Sequence, residues 1–407
     1  MFGVVKMERV ILHCDCNNFF ASVEADMNPE LKNYAFAVCG DPEYRHGIVL
    51  AKNEKAKKFG VETAEPIWQA QRKCKNLVLV KPHYEKYKEY SKKIFDIYCR
   101  YTDLVEPFGM DECWLDVTGS KTLFGSGEKI ANELREVIKK EVGVTISVGV
   151  SFNKIFAKMG SDYKKPDAVT VITKDNFKQL LYSLPAGELF TVGKKAAEKL
   201  RGIGILTIGD IAEIGEGVLE NVLGVQGKAV YQYANGYDYS KVKHFEYRDA
   251  YKSIGNGTTF KNDLKTWADV RTCVYFLSDK VSARLRNHNV QCAGLQVGIR
   301  DTSMKTIMRS CSFDSPTDLA YDISECVIKL IEDNVDINRS PIRALSITGI
   351  KLLDTFSVFN QASFFDIEEH QKHEKEERLE LARDKIRKKY GLEKLKRCSL
   401  MDNNFGL

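Results

Sequence analysis

Short apolar runs alternate with amphipathic stretches along the first part of the chain. The run RVILHC at 9–14 ends at Asp15, and the following NNFFASVEADM has the pattern of a turn and an aromatic-headed helix. Between about 36 and 80, the runs AFAVCG, GIVLAK and LVLV are separated by helical pieces such as EKAKKFG. Apolar runs of this length predict strands. The pattern therefore predicts a first strand that ends at an acidic residue and, between about 36 and 80, a small α/β unit.

The rest of the chain divides by pattern into further units. Residues 84–151 predict a helix, strands around VEPFGMDECWLDVTG, a helix at about 127–141 and the strand VTISVGVS. Beyond Pro166, short helices joined by glycine turns predict a compact helical domain, and 240–250 reads as a linker. The segments after it predict a separate α/β sandwich. The charge-dense run at 367–391 predicts an exposed helix or a partly disordered tail.

Composition excludes several classes of protein. The chain has 407 residues, 43% hydrophobic and 29% charged, which is typical of a folded protein with roughly two to four domains. No uninterrupted apolar stretch approaches the roughly 20 residues of a membrane span, and the N-terminus lacks the pattern of a secretory signal. The eleven cysteines include no Cys-x-x-Cys pair, so most are expected to be small buried apolar residues. These features predict a cytoplasmic protein.

Three carboxylates are the strongest candidates for chemistry. Asp15 stands at a strand end, and Asp111 and Glu112 are adjacent within GMDECWLD. Carboxylates that meet at one point repel each other unless cations lie between them, and oxygen ligands favour Mg²⁺. Neighbouring residues of a flat strand face opposite ways, so both can line one site only at a turn or bulge, which Gly109 would permit. The alternative is that these acids are ordinary surface charges.

Five motifs occur in one order at matching spacing: HCDCNNFFASVE, KKFGV, EPFGMDECWLDVTGS, SVGVSFNKIFAKMGSDYKKP and FTVGKKAAEKL. Together they resemble the Y-family translesion DNA polymerases, most closely the bacterial polymerase IV, or DinB-type, branch. The resemblance runs from about residue 8 to 365. It implies an α+β multidomain fold, a right-hand polymerase with palm, small fingers, helical helix-hairpin-helix thumb and α/β little-finger domain. The implied boundaries are 1–18 and 82–172 for the palm, 19–81 for the fingers, 173–240 for the thumb, 241–246 for a linker, 247–352 for the little finger, and 353–407 for a clamp-binding peptide and charged tail.

The resemblance also implies the roles of the site residues. The catalytic carboxylates are Asp15, Asp111 and Glu112. With the backbone carbonyl of Cys16, they would bind two Mg²⁺ ions, for which Mn²⁺ can substitute. The residues that would bind the incoming nucleotide are Asn17, Asn18, Phe19, Phe20, Lys57 and Lys165. Among them Phe20 is the steric gate, packed against the sugar where a ribose 2′-hydroxyl would clash.

Two positions depart from the family pattern. The family usually has Arg where Lys57 stands and Tyr where Glu54 stands, so a bidentate phosphate grip and a phenolic hydrogen bond are missing. An inward-pointing Glu54 would repel a triphosphate. The nucleotide is then bound through other groups, such as Lys52 or Lys55, or with lower affinity. Lys158 and Lys164 are expected in solvent or on DNA.

Two regions are predicted to bind DNA. TVGKKA at 191–196 resembles a helix-hairpin-helix turn, in which Val192, Gly193 and Lys194 would approach a phosphate; the alternative is an ordinary helix-helix turn. Residues 251–310 hold ten Lys and Arg against four acidic residues. This local excess is typical of a phosphate-facing surface. From it the candidate DNA contacts are Lys252, Arg284, Arg286 and Arg300.

A short peptide beyond the little finger resembles the motif by which bacterial polymerases bind the sliding clamp. Its residues are Gln361, Phe364 and Phe365, within QASFF. Phe364 stands where leucine is usual. The alternative is a buried aromatic pair.

The resemblance implies template-directed DNA synthesis past lesions, by two-metal nucleotidyl transfer from dNTP to the primer 3′-hydroxyl. Low fidelity is expected because the fingers, at 19–81, are small. The implied partners are primer-template DNA, dNTP and a sliding clamp, and the enzyme is expected to be monomeric. One alternative is a palm-type nucleotide cyclase, which would have no reason to carry the hairpin and the basic domain. The other is a catalytically weak or inactive accessory that binds DNA and clamp, which the intact carboxylates disfavour.

Overall fold

A computed structural model describes residues 8–41, 47–355, 367–391, 395, 405 and 406. The chain forms two compact units. We call them the N-terminal unit (Met1–Gly40 with Ile48–Arg248) and the C-terminal unit (Asp41–Gly47 with Asp249–Leu407). Within the described residues, no helix has the length and apolar character needed to cross a membrane.

The N-terminal unit contains eight strands and twelve α-helices among its described residues. The strands are β1 (Ile11–Cys16), β2 (Phe36–Cys39), β3 (Val49–Lys52), β4 (Val78–Val80), β5 (Val105–Pro107), β6 (Glu112–Asp116), β7 (Ile146–Ser151) and β8 (Val169–Val171). The helices are α1 (Phe19–Met27), α2 (Glu54–Lys58), α3 (Ile67–Lys73), α4 (Tyr84–Tyr98), α5 (Lys121–Phe124), α6 (Gly127–Val142), α7 (Lys154–Tyr163), α8 (Phe177–Leu181), α9 (Lys194–Gly202), α10 (Ile208–Glu213), α11 (Glu216–Leu223) and α12 (Val225–Ala234).

A five-stranded sheet with the order β5-β6-β1-β7-β8 forms the centre of this unit. β1 pairs antiparallel with β6 on one side and with β7 on the other. Leu12, Cys14 and Cys16 enter an apolar core shared with α4 and α6. His13 and Asp15 lie on the other face, in contact with α7. The two-residue period of a strand produces this division, and it places the polar side chains of β1 beside α7.

A second sheet, with the order β3-β2-β4, pairs β2 antiparallel with β3 and parallel with β4. Its core includes Ala56 of α2 and Ile67 and Ala70 of α3. The small α/β unit expected between about 36 and 80 is therefore confirmed.

The helices α8 to α12 form the glycine-punctuated part of the unit. They share a core that includes Phe177, Leu200, Ile208 and Leu219. Gly224 joins α11 directly to α12 with φ +66°, a conformation that side chains rarely adopt.

The segment expected to be a linker, 241–246, packs on the N-terminal unit. Val242 is buried, the Phe245 amide donates to Asp103 O over 2.9 Å, and the Lys243 amide donates to Glu106 Oε2 over 3.1 Å. The boundary between the two compact units falls after Arg248.

The C-terminal unit is built on a four-stranded antiparallel sheet. Its elements are β9 (Ser253–Leu264), α13 (Trp267–Asn287), β10 (Val290–Asp301), β11 (Thr306–Thr317), α14 (Ala320–Glu332), β12 (Ile342–Asp354) and α15 (Ile367–Tyr390). The strand order is β11-β10-β12-β9. The core between the sheet and its helices includes Leu277 and Leu285 of α13 and Val327 and Ile331 of α14. This is the α/β sandwich expected beyond the linker.

Two cysteines of this unit differ from the expected buried apolar role. The sulfur atoms of Cys311 on β11 and Cys326 on α14 are in contact, and both residues are only partly buried. Their pairing depends on β11 and α14 lying side by side, which spacing along the chain does not reveal.

The helix α15 packs on α13 through charged side chains. Arg286 donates to Glu380 over 2.9 Å and to Asp384 over 2.7 Å, and Arg383 donates to Asp279 over 2.6 Å. Glu380 is only 4% exposed. The expected helix is present, but the expectation of general exposure is wrong for this face, because its charged residues are paired with α13.

Candidate active site

The N-terminal unit contains a pocket of about 400 Å³, which we call the acidic pocket. Its lining comes from the end of β1 and the start of α1, from β3, from the turn before β6, and from α7 with the residues after it. The lining residues are Asp15, Cys16, Asn18, Phe19, Phe20, Leu50, Ala51, Lys52, Thr63, Asp111, Glu112, Lys158, Asp162 and Lys165.

The pairing of β1 with β6 brings the three predicted carboxylates together. Asp15 lies opposite Glu112 in the ladder, and the Cys16 amide donates to Asp111 O over 3.0 Å. Asp111 precedes the first residue of β6 and follows Gly109, whose φ of +93° makes a turn. Asp111 and Glu112 can therefore line one pocket although they are neighbours, since Asp111 is outside the pleat of the strand.

The electrostatics of the carboxylates favour a bound cation. Burial, together with the charges of Asp15 and Glu112, raises the pKa of Asp111 to about 6. Burial also acts to raise the pKa of Glu112, but hydrogen bonds from His13 and Lys158 outweigh it and lower that pKa to about 2. Possible ligand atoms of His13, Asp15 and Glu112 lie within 4.8 Å of one another. Hard oxygen donors at this density fit a divalent cation such as Mg²⁺.

Lys158 lies inside the pocket, so the expectation that it faces solvent or DNA is wrong. Its ammonium is 3.0 Å from Asp15 Oδ2, 2.8 Å from Glu112 Oε2 and 3.2 Å from Asp162 Oδ2. Burial acts to lower the pKa of Lys158, but these carboxylates outweigh it and raise the pKa. The sequence contained one signal for this placement. Lys158 and Asp162 are four residues apart on a helix, so their side chains share a face and can pair.

His13 was also missed. It is fully buried, with Nδ1 2.8 Å from Ser161 Oγ and Nε2 3.2 Å from Glu112 Oε2. Burial lowers its pKa, which favours the neutral imidazole. Because it lies two residues before Asp15 on β1, the strand period could have placed it on the same face.

Lys165 contacts the same cluster from the segment after α7. Its ammonium lies 2.8 Å from Asp15 Oδ2 and 2.7 Å from Asp162 Oδ1. Burial acts to lower the pKa of Lys165, but the neighbouring carboxylates outweigh it and raise that pKa. Lys158 and Lys165 together balance much of the negative charge of the pocket.

The turn from β1 into α1 supplies the predicted nucleotide-binding stretch. The Asn17 amide donates to Thr145 O over 2.9 Å, so it is already used within the sheet. Asn18 has a left-handed backbone, φ 49° and ψ 44°, and precedes α1. Amides of the first helical turn have no acceptor within the helix, so those at the start of α1 can donate hydrogen bonds to an anionic group.

Phe19 and Phe20 have different surroundings. Phe19 is 3% exposed and belongs to the apolar core. Phe20 is partly buried, and its ring stacks on Tyr87 with a centroid distance of 4.2 Å and an interplanar angle of 12°. Tyr87 in turn donates a hydrogen bond to the buried Glu24. This support fixes the Phe20 ring at the edge of the pocket.

Glu54 and Lys57, the two residues that depart from the family pattern, lie at the rim of the acidic pocket. Glu54 accepts a hydrogen bond from Asn18 Nδ2 over 2.8 Å and is 3.8 Å from the Lys57 ammonium. Lys57 is half-exposed and does not line the pocket. Lys55 donates to Asn33 O over 3.0 Å. Lys52 does line the pocket.

The predicted hairpin contacts, Val192, Gly193 and Lys194, lie at the start of α9. Val192 is buried and its amide donates to Leu189 O over 2.9 Å, whereas Gly193 and Lys194 are exposed. Gly193 has no atom within 4 Å of the position that a Cβ would take. A side chain at this position would therefore meet open space at the start of α9.

The predicted DNA contacts of the C-terminal unit fall on different faces. Arg300 is exposed on β10 and lines a cavity of about 270 Å³ on the sheet. Lys252 is exposed just before β9, and Arg284 is exposed on α13 and donates to Gly255 O. The Arg286 side chain is 11% exposed and is engaged by Glu380 and Asp384, so a DNA contact by Arg286 would require α15 to move. The predicted clamp peptide lies outside the described residues.

Comparisons with known proteins agree with this architecture. Residues 14–162 match the model of the impB/mucB/samB family, and residues 251–362 match the model of that family's C-terminal domain. DNA polymerase IV of Acetivibrio thermocellus is 44% identical over 397 residues, 98% of each chain. DNA polymerase IV 1 of Bacillus subtilis is 36% identical over 383 residues, 94% of this chain and 91% of the relative.

The structural comparison concerns the fold. A solved Y-family DNA polymerase chimera matches with a TM-score of 0.74 and 23% identity, over 84% of this chain and 99% of the chimera. The fold is therefore that of a right-hand, Y-family polymerase, as predicted. The chain itself belongs to the Y family of DNA polymerases, and its relatives place it in the polymerase IV branch.

Proposed function

We propose that the acidic pocket is the site at which this chain adds deoxynucleotides to a primer 3′-hydroxyl. As a member of its family, the chain is a metal-dependent DNA-directed DNA polymerase that performs translesion synthesis, with template DNA and dNTP as substrates. The assignment of the site rests on one observation: Asp15, Asp111 and Glu112 lie together at one end of the central sheet, beside Phe20. The cyclase and the inactive accessory are not favoured.

The carboxylates hold metal and do not shuttle protons. Asp15, Asp111, Glu112 and the carbonyl of Cys16 would hold two Mg²⁺ ions, with Mn²⁺ as a substitute. Two such ions supply activation of the 3′-hydroxyl and stabilisation of the charge on the reacting phosphates. Lys165 lies at the mouth of this cluster, with 30% of its side chain exposed, and would bind the triphosphate as negative charge moves to the leaving pyrophosphate.

Phe20 would select the sugar. Its ring is supported from one side by Tyr87 and meets Tyr84 edge-on at a centroid distance of 6.0 Å. A ring held in this way cannot easily yield to a 2′-hydroxyl. The amides around Asn18 and Phe19 would bind the triphosphate, as helix N-termini bind anions generally.

The DNA contacts are proposed for exposed residues on both units. Gly193 and Lys194 at the start of α9 would contact a phosphate through backbone amides and a cation. Lys252, Arg284 and Arg300 would supply further phosphate contacts. Val192 would act by packing beneath the hairpin. We propose that the enzyme acts as a monomer in the cytoplasm.

Removing divalent metal tests the assignment of the pocket. We expect primer extension with Mg²⁺ to stop when EDTA is in excess and to return when Mg²⁺ or Mn²⁺ is added back, because the carboxylates cannot align the reacting groups alone. The measurement is extension of a labelled primer on an undamaged template, with Na⁺ at equal ionic strength as the control. Extension that is insensitive to EDTA would contradict the proposal.

The clamp peptide is proposed to act outside the catalytic core. Deleting 361–365 is expected to remove stimulation by the sliding clamp and to leave basal extension unchanged, because a docking peptide touches no catalytic group. Primer extension with and without clamp measures both effects. Equal loss of basal activity would mean that Phe364 and Phe365 belong to a core.

A further inference from the structure

The acidic pocket is lined by a third lysine, besides Lys158 and Lys165. Lys52 is the last residue of β3, where it pairs with Ala37 of β2, and its side chain lines the pocket together with Thr63. The Lys52 ammonium donates to Thr63 Oγ1 over 3.0 Å. The pocket therefore receives a cation from the sheet that contains β3 and its proposed metal-binding acids from the sheet that contains β1 and β6.

The backbone fixes Thr63 in this place. Its neighbour Ala64 has a φ of +68°, and the Ala64 amide donates to Val49 O over 2.8 Å. This bond ties the turn after α2 to β3. Thr63 is thus held beside Lys52 by the backbone, and its hydroxyl orients an otherwise flexible ammonium.

The other lysines of this region do not line the pocket. The Lys55 ammonium donates to Asn33 O, and Lys57 is 53% exposed with Glu54 3.8 Å away. Glu54 accepts a hydrogen bond from Asn18 Nδ2, does not itself line the pocket, and acts to raise the pKa of Lys52. Of the lysines at 52, 55 and 57, Lys52 alone lines the pocket.

The environment of Lys52 suits an anion. Its hydrogen-bond partner Thr63 is neutral, so the ammonium keeps capacity for a phosphate oxygen. Burial, with Lys57 nearby, lowers the pKa of Lys52. A partly desolvated ammonium gains more from a charge-assisted hydrogen bond than an exposed one.

We propose that Lys52, oriented by Thr63, binds the terminal phosphates of the incoming nucleotide, the contact that the sequence resemblance implied for Lys57. This inference rests on the proposed function of the acidic pocket. It explains how a chain with Lys at 57 and Glu at 54 keeps a phosphate-binding cation in place of the usual Arg: the cation comes from β3, the strand before α2, five residues earlier than the resemblance implied.

The experiment compares Lys52→Ala, Lys57→Ala and Lys55→Ala in steady-state single-nucleotide insertion. Lys52→Ala is expected to raise KM for dNTP about tenfold or more, with kcat changed less than about threefold, since the lost contact stabilises bound nucleotide before and during transfer. Lys52→Arg is expected to recover most of the affinity because it keeps the charge. Lys55→Ala is the matched control and should keep the wild-type KM.

A readout that is independent of turnover is the binding of dNTP to enzyme on a dideoxy-terminated primer. The Kd should rise in Lys52→Ala by the same factor as KM, while the melting temperature stays at the wild-type value. A larger rise in KM or Kd for Lys57→Ala than for Lys52→Ala, or no rise for Lys52→Ala, would overturn the inference. Loss of extension by the wild-type protein itself would contradict the proposed function instead, so the two failures are distinguishable.

Discussion

Asp111→Ala and Glu112→Ala are each expected to lower the single-turnover rate of nucleotide insertion at least a thousandfold. Each removes a carboxylate from the cluster proposed to hold the metal ions, and the loss of about 4 kcal/mol of transition-state stabilisation corresponds to that factor. Binding of primer-template should change little, because the residues proposed to contact DNA lie outside the acidic pocket. Rapid-quench insertion and fluorescence anisotropy measure the two quantities.

The two variants are expected to differ in melting temperature. This difference distinguishes a loss of catalysis from a loss of folding. The folded-state pKa of Asp111 is raised to about 6 from 3.8, so its ionised form disfavours folding above the unfolded value, and Asp111→Ala should not lower the melting temperature at pH 7. The pKa of Glu112 is lowered to about 2, so its ionised form favours folding, and Glu112→Ala should melt earlier at pH 7. Asp175→Ala, at an exposed position, is the matched control. Insertion at a tenth of the wild-type rate in Asp111→Ala would refute the assignment.

Phe20→Val is expected to raise relative use of ribonucleotides by roughly two to three powers of ten. The substitution removes the ring beside the sugar, and a clash of about 3 to 4 kcal/mol accounts for that factor. Deoxynucleotide insertion should fall much less, because no metal ligand changes. The measurement is insertion of matched ribo- and deoxyribonucleotides by single-nucleotide kinetics.

Phe19→Val is the matched control for the gate. Phe19 is 3% exposed in the apolar core, so its truncation should lower the free energy of unfolding by about 2 kcal/mol and reduce both insertions together. Unchanged sugar preference in Phe20→Val, or a larger change in Phe19→Val, would place the gate elsewhere.

The acids of the pocket could be predicted because their signals are local. Asp15 ends an apolar run, and Asp111 and Glu112 follow a glycine that allows a turn. The five family motifs, which occur in one order, then linked Asp15 to Asp111 and Glu112, which lie nearly a hundred residues later in the chain. The sheet pairing of Asp15 with Glu112 gives the physical reason that they meet.

The counter-charges could not be predicted in the same way. Lys158 contacts the carboxylates because α7 packs across β1, and His13 contacts Glu112 because β1 pairs with β6. Local spacing could place each side chain on a shared face, but it does not show which distant element covers that face. Lys57 was placed by resemblance alone, whereas the wall of the pocket is lined by Lys52. Lys52 ends β3 and Lys57 lies on α2, so a difference of a few residues changes which ammonium group faces the pocket.

Arg286 shows the same limit of prediction from sequence, because its partners come from a distant part of the chain. A local excess of basic residues indicated DNA binding, but its partners Glu380 and Asp384 are nearly a hundred residues later in the chain. The excess counted around Arg286 is therefore partly balanced by α15. The charge of a surface depends on which distant segment covers it.

The central claim is that the acidic pocket catalyses DNA synthesis past damaged template. It is tested most directly by extension of a primer across a single abasic site, with Mg²⁺, by purified wild-type protein and by Asp111→Ala. We predict full-length product from the wild type on both the abasic and the undamaged template, and none from Asp111→Ala on either. Wild-type protein that stops before the abasic site, or Asp111→Ala that extends past it, would contradict the account.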